Sequence, residues 1–167
     1  VAVTANRRVG LIATRASVAS GAYQRLFEGI APDIQVFSRA CPLFVPLVEE
    51  GRFQPGDVVI ETLAEEYLRD LREQRIDTLV LGCTHYPLLT EIISGAMGGN
   101  TFLVDAGREA ACAAQSLLME RDALAGPGMG SVRFFTSERA ADFQRLAGIF
   151  LQEPCRAEAQ PVDIERY

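Results

Sequence analysis

The sequence predicts an α/β protein with a mostly parallel sheet flanked by helices. Short apolar runs such as Thr78-Leu-Val-Leu81 read as strands buried on both faces, the form strands take inside a parallel sheet. Amphipathic stretches of helical period lie between them, so strands and helices alternate from one end of the chain to the other. No internal repeat or low-complexity tract interrupts that alternation. At 167 residues the chain has room for one good core and a small second lobe.

Val9-Gly-Leu-Ile-Ala13 is the first expected strand, after the pair Arg7–Arg8. A helix follows from Val18 to about Glu28, with Tyr23, Leu26 and Phe27 on or near one face. Thr14 and Ser17 fall in the turn between the two. Free N–H groups there could hold an anionic group, but an ordinary N-cap by Ser17 is the favoured reading. Ile34-Gln-Val-Phe-Ser38 alternates as a second strand. Leu43-Phe-Val-Pro-Leu-Val48 is apolar yet sits between Pro42 and Glu49 and contains Pro46, which reads as an irregular buried loop. A carboxylate leaving such a loop, here Glu49 or Glu50, is more often solvated than functional. Val58 to Glu73 is an amphipathic helix with Val59, Leu63, Tyr67 and Leu71 at spacings of four, and its charged face allows pairs such as Glu65–Arg69.

The third strand, Leu79 to Leu81, closes at Gly82. Pro87 suits the first turn of the next helix, where its missing N–H costs nothing, and Gly98-Gly-Asn100 ends that helix near Ala96. Phe102-Leu-Val104 is a fourth strand with Asp105-Ala-Gly107 as its turn. A helix from about Arg108 to Arg121 carries Cys112, read as a core thiol. Ala125-Gly-Pro-Gly-Met-Gly130 is the clearest break in composition. Beyond it come a strand at Val132–Thr136, a helix from Ala140 to Leu151 and a weak final strand at Pro161–Ile164.

Cys83, Thr84 and His85 therefore occupy a turn between the carboxyl end of a strand and the start of a helix, which is where ligands sit in open α/β sheets. A thiol facing a helix N-terminus is biased toward the thiolate. Cysteine hydrolases pair the thiol with a distant, oriented histidine. Here His85, the only histidine, lies two residues away, and no third member is visible. Proton abstraction by the thiolate, tuned by His85, fits better. The bland alternative is a buried strand-end thiol beside a histidine cap, and the residues alone leave the two about equally supported.

Composition removes several function classes. All basic residues are Arg, which excludes a Schiff-base lysine, a lysine-anchored pyridoxal cofactor and a Walker-type phosphate loop. The net charge of −6 argues against nucleic acid. No apolar run approaches the about 18–20 residues that span a bilayer, and no secretory signal is visible after Val1. The cysteines at 41, 83, 112 and 155 have neither zinc spacing nor a disulfide-scaffold pattern, so no metal is expected and the thiols read as reduced and cytoplasmic.

The run Val80-Leu-Gly-Cys-Thr-His-Tyr-Pro-Leu-Leu89 resembles the second cysteine signature of glutamate racemases, in the aspartate/glutamate racemase superfamily. Gly10–Thr14 through Ser20–Tyr23, Ala40–Gly51, and Phe134–Ser137 with Phe143 and Phe150 resemble the same family in the same order. The resemblance implies a cofactor-independent racemase that interconverts L- and D-glutamate for peptidoglycan. Two cysteines would work from opposite faces of the α-carbon, Cys83 being the second of them. It also implies that His85 assists Cys83, that Glu49 is an acidic residue of the active site, and that Thr84 binds substrate. Thr14 and Ser17 fall where family members place hydroxyls near the substrate.

The family's first half, with its Asp-Ser-Gly turn, Pro-Tyr-Gly loop and Cys-Asn-Thr motif, has no counterpart here. The chain is thus expected to be the C-terminal portion of a racemase, inactive without its N-terminal lobe. The resemblance implies that residues 1–105 are the complete second lobe and that 106–167 return to pack on the first lobe; a homodimer is among the assemblies open to the chain. Alternatives are an aspartate racemase or related enzyme of the superfamily, and a non-catalytic amino-acid-binding or regulatory module.

Overall fold

The computed structural model describes residues 2–128, 130–152 and 158–166, so Cys155 lies outside the described residues. The chain divides into two compact units, Val1–Arg121 and Asp122–Tyr167.

In the first unit, β1 (Arg8–Ala13), β2 (Gln35–Ala40), β3 (Thr78–Leu81) and β4 (Phe102–Asp105) form one sheet in the order β2-β1-β3-β4. Every neighbouring pair is parallel. The chain steps outward from β1 to β2, then returns past β1 to lay down β3. Strand order thus reverses between β1 and β3, and the carboxyl ends at such a switch point are where ligands bind in sheets of this kind.

The period-two alternation of β3 sorts its side chains. Leu79 and Leu81 enter the larger core, with Ile12, Phe44, Ile60, Leu68 and Ile93, while Val80 packs against the smaller cluster of Val9, Ala31 and Ile34. Burying each such Leu or Ile is worth about 1.5–3 kcal/mol, so the larger cluster dominates the stability of this unit.

α4 (Val58–Glu73) and α7 (Ala140–Leu151) occupy the ranges their periodicity predicts. Asp57 caps α4, its side chain accepting from the Val59 N–H. Glu65 of α4 is reached by Arg72 at 3.1 Å, one turn further along than the expected Arg69.

Other expectations are corrected. The helix expected from Val18 is two, α1 (Arg15–Ala19) and α2 (Ala22–Ile30), separated by Gly21 at φ +63°, a left-handed conformation that breaks a helix and that glycine adopts without strain. The apolar run expected to be an irregular loop is a helix, α3 (Phe44–Glu49). Pro46 stands in its first turn, where a missing N–H has no partner to lose, so the proline that argues against a strand is compatible with a helix. Pro87 likewise sits in the opening of a 3-10 turn (Tyr86–Leu89) that runs into α5 (Thr90–Ala96).

Cys112 is not a core thiol. It lies exposed on α6 (Ala106–Glu120), a helix with no buried residue. Among the described residues no helix is long and apolar enough to cross a membrane.

In the second unit, β5 (Phe134–Thr136) pairs in parallel with β6 (Ala159–Pro161), and α7 connects them. The last strand thus begins earlier than the expected Pro161–Ile164, and Ile164 opens a 3-10 turn. Phe134 and Phe143 pack with ring centroids 5.4 Å apart, whereas Phe135 and Phe150 are exposed.

Candidate active site

Three segments converge at the carboxyl ends of β1, β2 and β3. The β3 turn begins at Gly82, whose N–H donates to the Ile12 carbonyl at 2.8 Å and so extends the β1–β3 ladder by one bond. A Cβ on Gly82 would stand 2.9 Å from Leu11 Cδ1 and 3.0 Å from the Ile12 carbonyl oxygen. Only glycine lets the chain pass this close to β1 before it turns out to present Cys83.

Cys83 is half-buried, not sealed in the core. Its Sγ lies 3.9 Å from His85 Nδ1, and the exposed Thr84 places Oγ1 3.3 Å from the same nitrogen. The other ring nitrogen, Nε2, is 3.1 Å from Oε1 of Glu49, the last residue of α3. The His85 side chain is 18% exposed and that of Glu49 39%. A carboxylate only accepts, so Nε2 carries the hydrogen in the neutral ring and Nδ1 offers its lone pair to the thiol and the Thr84 hydroxyl. This is an oriented thiol–imidazole–carboxylate chain, whose third member the spacing around Cys83 could not supply. Only the family likeness pointed to Glu49.

Thr14 and Ser17 form a separate pair at the end of the adjacent strand β1. Thr14, not Ser17, is the N-cap of α1: its Oγ1 accepts from the Ser17 N–H at 3.2 Å, and the two hydroxyl oxygens are 3.0 Å apart. The cap was expected one turn late because both hydroxyls suit the role and the helix begins sooner than its apolar residues suggest.

Tyr86 is a site residue that sequence reasoning passed over. It is fully buried, and its hydroxyl donates to the Cys41 carbonyl at 2.9 Å. Burial pushes its phenol well above the ordinary value, with the Cys41 and Cys83 thiols and Tyr67 adding to the rise. Burial likewise pushes the Cys41 thiol up to about 12, against a smaller opposing pull from Arg39. Cys41 therefore stays protonated at neutral pH and is unsuited to be a second acid–base thiol. Among the described residues no group of three or more His, Cys, Asp or Glu side chains is placed to hold a metal ion.

A paired thiol and imidazole at the switch point of a parallel sheet fits several chemistries, and comparison with known proteins separates them. Residues 1–114 match the family model described as Asp/Glu/Hydantoin racemase.

The chain belongs to the Asp/Glu/hydantoin racemase family.

The glutamate racemase of Thermoanaerobacter sp. (strain X514) is 38% identical over 164 residues, covering 98% of this chain and 61% of that protein. The glutamate racemase of Geobacter metallireducens is 42% identical over 151 residues, covering 90% of this chain and 55% of that one. Among solved structures, the glutamate racemase of Francisella tularensis in complex with D-glutamate superposes with a TM-score of 0.87 at 32% identity, covering 96% of this chain and 59% of that one. The Thermus thermophilus glutamate racemase in complex with beta-chloro-D-alanine gives 0.83 at 34% identity, covering 99% and 60%. This chain therefore spans about three fifths of the length of these racemases, and members of the Asp/Glu/hydantoin racemase family provide the frame for its chemistry.

Proposed function

We propose that the chain carries one of the two proton-transferring thiols of a cofactor-independent glutamate racemase of the cytoplasm, supplying D-glutamate for peptidoglycan. The observation that carries this reading is the chain from Cys83 through His85 to Glu49 at the switch point between β1 and β3. His85 Nδ1 takes the thiol proton, and the Glu49 carboxylate holds the resulting imidazolium. The Cys83 thiolate then removes the α-hydrogen from one face of the amino acid, and the C–H electron pair stays on carbon. A thiol on the opposite face returns a proton to that pair, so configuration inverts with no change of oxidation state. In the reverse direction Cys83 is the acid. Thr84, Thr14 and Ser17 bind the substrate's carboxylate and ammonium groups.

Cys41, buried and protonated, is not the opposite thiol. That role falls to the part by which the related racemases are longer than this chain. An α-hydrogen is so weakly acidic that base, acid and binding shell must act together, so this chain by itself gives at most weak, one-sided exchange. The names of the related proteins favour glutamate over aspartate.

The test is solvent-deuterium incorporation at Cα of both glutamate enantiomers, with the first-lobe portion of a related racemase supplied. Incorporation that disappears with Cys83→Ala is expected. Glutamate binding without exchange would instead identify a binding module, and faster exchange on aspartate an aspartate racemase.

A further inference from the structure

One residue, Cys41, joins the three segments that carry the site through its N–H and its carbonyl. The Cys41 N–H donates to the Ala13 carbonyl at 3.0 Å, holding the end of β2 against the end of β1, next to Thr14. The Cys41 carbonyl accepts from two donors: the Phe44 N–H at 3.3 Å, which starts α3, and the Tyr86 hydroxyl at 2.9 Å. α3 ends at Glu49, and Tyr86 is the residue after His85. The Tyr86 ring also meets Phe44, the first residue of α3, edge-on, with centroids 5.4 Å apart and planes at 88°. Phe44 in turn meets Tyr67 of α4 at 5.3 Å. The two partners of the 3.1 Å His85–Glu49 contact thus stand on segments fastened to each other through Tyr86.

We propose that Tyr86 is a positioning residue: its hydroxyl, bonded to the Cys41 carbonyl, fixes the β3 turn against the start of α3 so that His85 faces Cys83 and Glu49 at once. The proposal rests on the reading of Cys83 and His85 as an acid–base pair and adds the group that sets their geometry. A tyrosine serving only to fill the core needs no such bond, because phenylalanine fills the same space. A buried hydroxyl, however, requires a partner, and the one it has here is the carbonyl of Cys41, the residue at which β1, β2 and α3 meet. Its phenol remains protonated at neutral pH, so it donates throughout the working range. With the donor removed, the carbonyl keeps the longer Phe44 bond and only the β3 turn is released.

The test reads the influence of His85 on Cys83 without requiring turnover. In the full chain carrying Cys112→Ser and Cys155→Ser, the rate of Cys83 alkylation by iodoacetamide at pH 7 is measured with and without His85→Asn, first with Tyr86 and then with Tyr86→Phe. With Tyr86 present, His85→Asn is expected to change the rate by about threefold or more, near the low end of coupling between touching groups. With Tyr86→Phe that ratio is expected to fall toward one.

A ratio unchanged in Tyr86→Phe overturns the positioning role and leaves the acid–base reading standing. A ratio near one already with Tyr86 present overturns both. Phe44→Leu, which removes the ring but keeps the phenol, is measured alongside and also serves should Tyr86→Phe not fold. It is expected to lower the melting temperature and keep the His85 ratio; loss of the ratio there would mean that core packing in general, and not the hydroxyl, sets the geometry.

Discussion

Glu49 and His85, 36 residues apart, meet at 3.1 Å between Oε1 and Nε2, and this contact determines which nitrogen of the imidazole faces Cys83. Glu49→Gln keeps the size of the side chain and removes its charge. The amide can present either a donor or an acceptor to Nε2, so the tautomer is no longer fixed and the imidazolium loses its counter-charge. Exchange at Cα, measured with the complementing lobe present, is expected to fall by about ten- to a hundredfold, less than loss of a triad carboxylate costs a protease because a thiol gives up its proton more readily than a serine hydroxyl does. An unchanged rate would remove Glu49 from the acid–base machinery.

That contact also marks the limit of what the sequence makes legible. Periodicity alone locates α4 to the residue, and the structure adds Asp57 as the cap that agrees with it. The turn carrying Cys83 is equally legible, because an apolar triplet closed by glycine and followed by proline leaves few alternatives. Pro46 misleads: it argues against a strand, and only the surrounding packing of Phe44 and Val48 shows that a helix of six residues takes its place. Cys112 misleads for another reason. Helical period says that a helix forms, not what covers its apolar side, and α6 buries none of its residues. No local pattern could disclose that the Cys41 peptide meets Tyr86, a contact 45 residues apart in sequence.

The buried Cys41 and Tyr86 predict weakening at alkaline pH. Burial holds the folded Cys41 thiol up at about 12 against an ordinary value of 9.0, so between those values the unfolded state binds fewer protons and stability falls as pH rises. Tyr86 has the same sign above its ordinary value of 10.0. Urea midpoints are expected to be flat from pH 7 to about 8.5 and then to decline, with a shallower decline in Cys41→Ala. A matching probe is the thiol reagent DTNB in a Cys155→Ser chain, where Cys83 and Cys112 should react at pH 8 and Cys41 only after unfolding. Prompt reaction of a third thiol would contradict its burial.

Asp77 predicts the acid limb. Burial alone would raise its carboxyl, but hydrogen bonds from the Asn6 N–H, Thr4 and Thr78 hydroxyls and Ala5 N–H hold it below the usual value. The bonds from Thr4, Ala5 and Asn6, at 2.7–2.8 Å, pin residues 4–6 to the start of β3. A depressed folded value contributes stability that is complete above about pH 4 and is lost as pH falls through the folded value. Asp77→Ala is expected to cost about 1–3 kcal/mol at pH 7, as loss of hydrogen bonds to a charged group does, and to flatten the acid limb of the urea midpoint. An acid limb identical to that of the unsubstituted chain would assign the effect to other carboxylates.

Limited trypsinolysis tests the division of the chain. Arg121 and Arg133 flank a stretch in which the described residues form neither helix nor strand. The arginines of α4, by contrast, lie in a helix packed on the main core. Early cleavage is expected at Arg121 and Arg133, leaving a protected fragment that ends at Arg121. First cuts at Arg69 or Arg72 would mean that the first unit is less cohesive than its packing indicates.

Gly82→Ala tests whether the site depends on the close approach of β3 to β1. The added methyl meets Leu11 Cδ1 at 2.9 Å, the Ile12 carbonyl oxygen at 3.0 Å and Ala13 Cβ at 3.2 Å. Leu11 can rotate, but the carbonyl cannot withdraw without loosening the bond it accepts from the Gly82 N–H. The turn must therefore shift outward, at a cost of about 1–3 kcal/mol, the usual penalty for forcing a methyl into a packed site. Cys83 moves with it, while Glu49 stays with α3, so the His85-dependent alkylation of Cys83 should weaken in a chain that is still folded by circular dichroism. A stable Gly82→Ala protein with unaltered Cys83 behaviour would show that the turn has slack. In that case the contacts made by His85, and not the tight passage beside β1, would hold the sulfur in place.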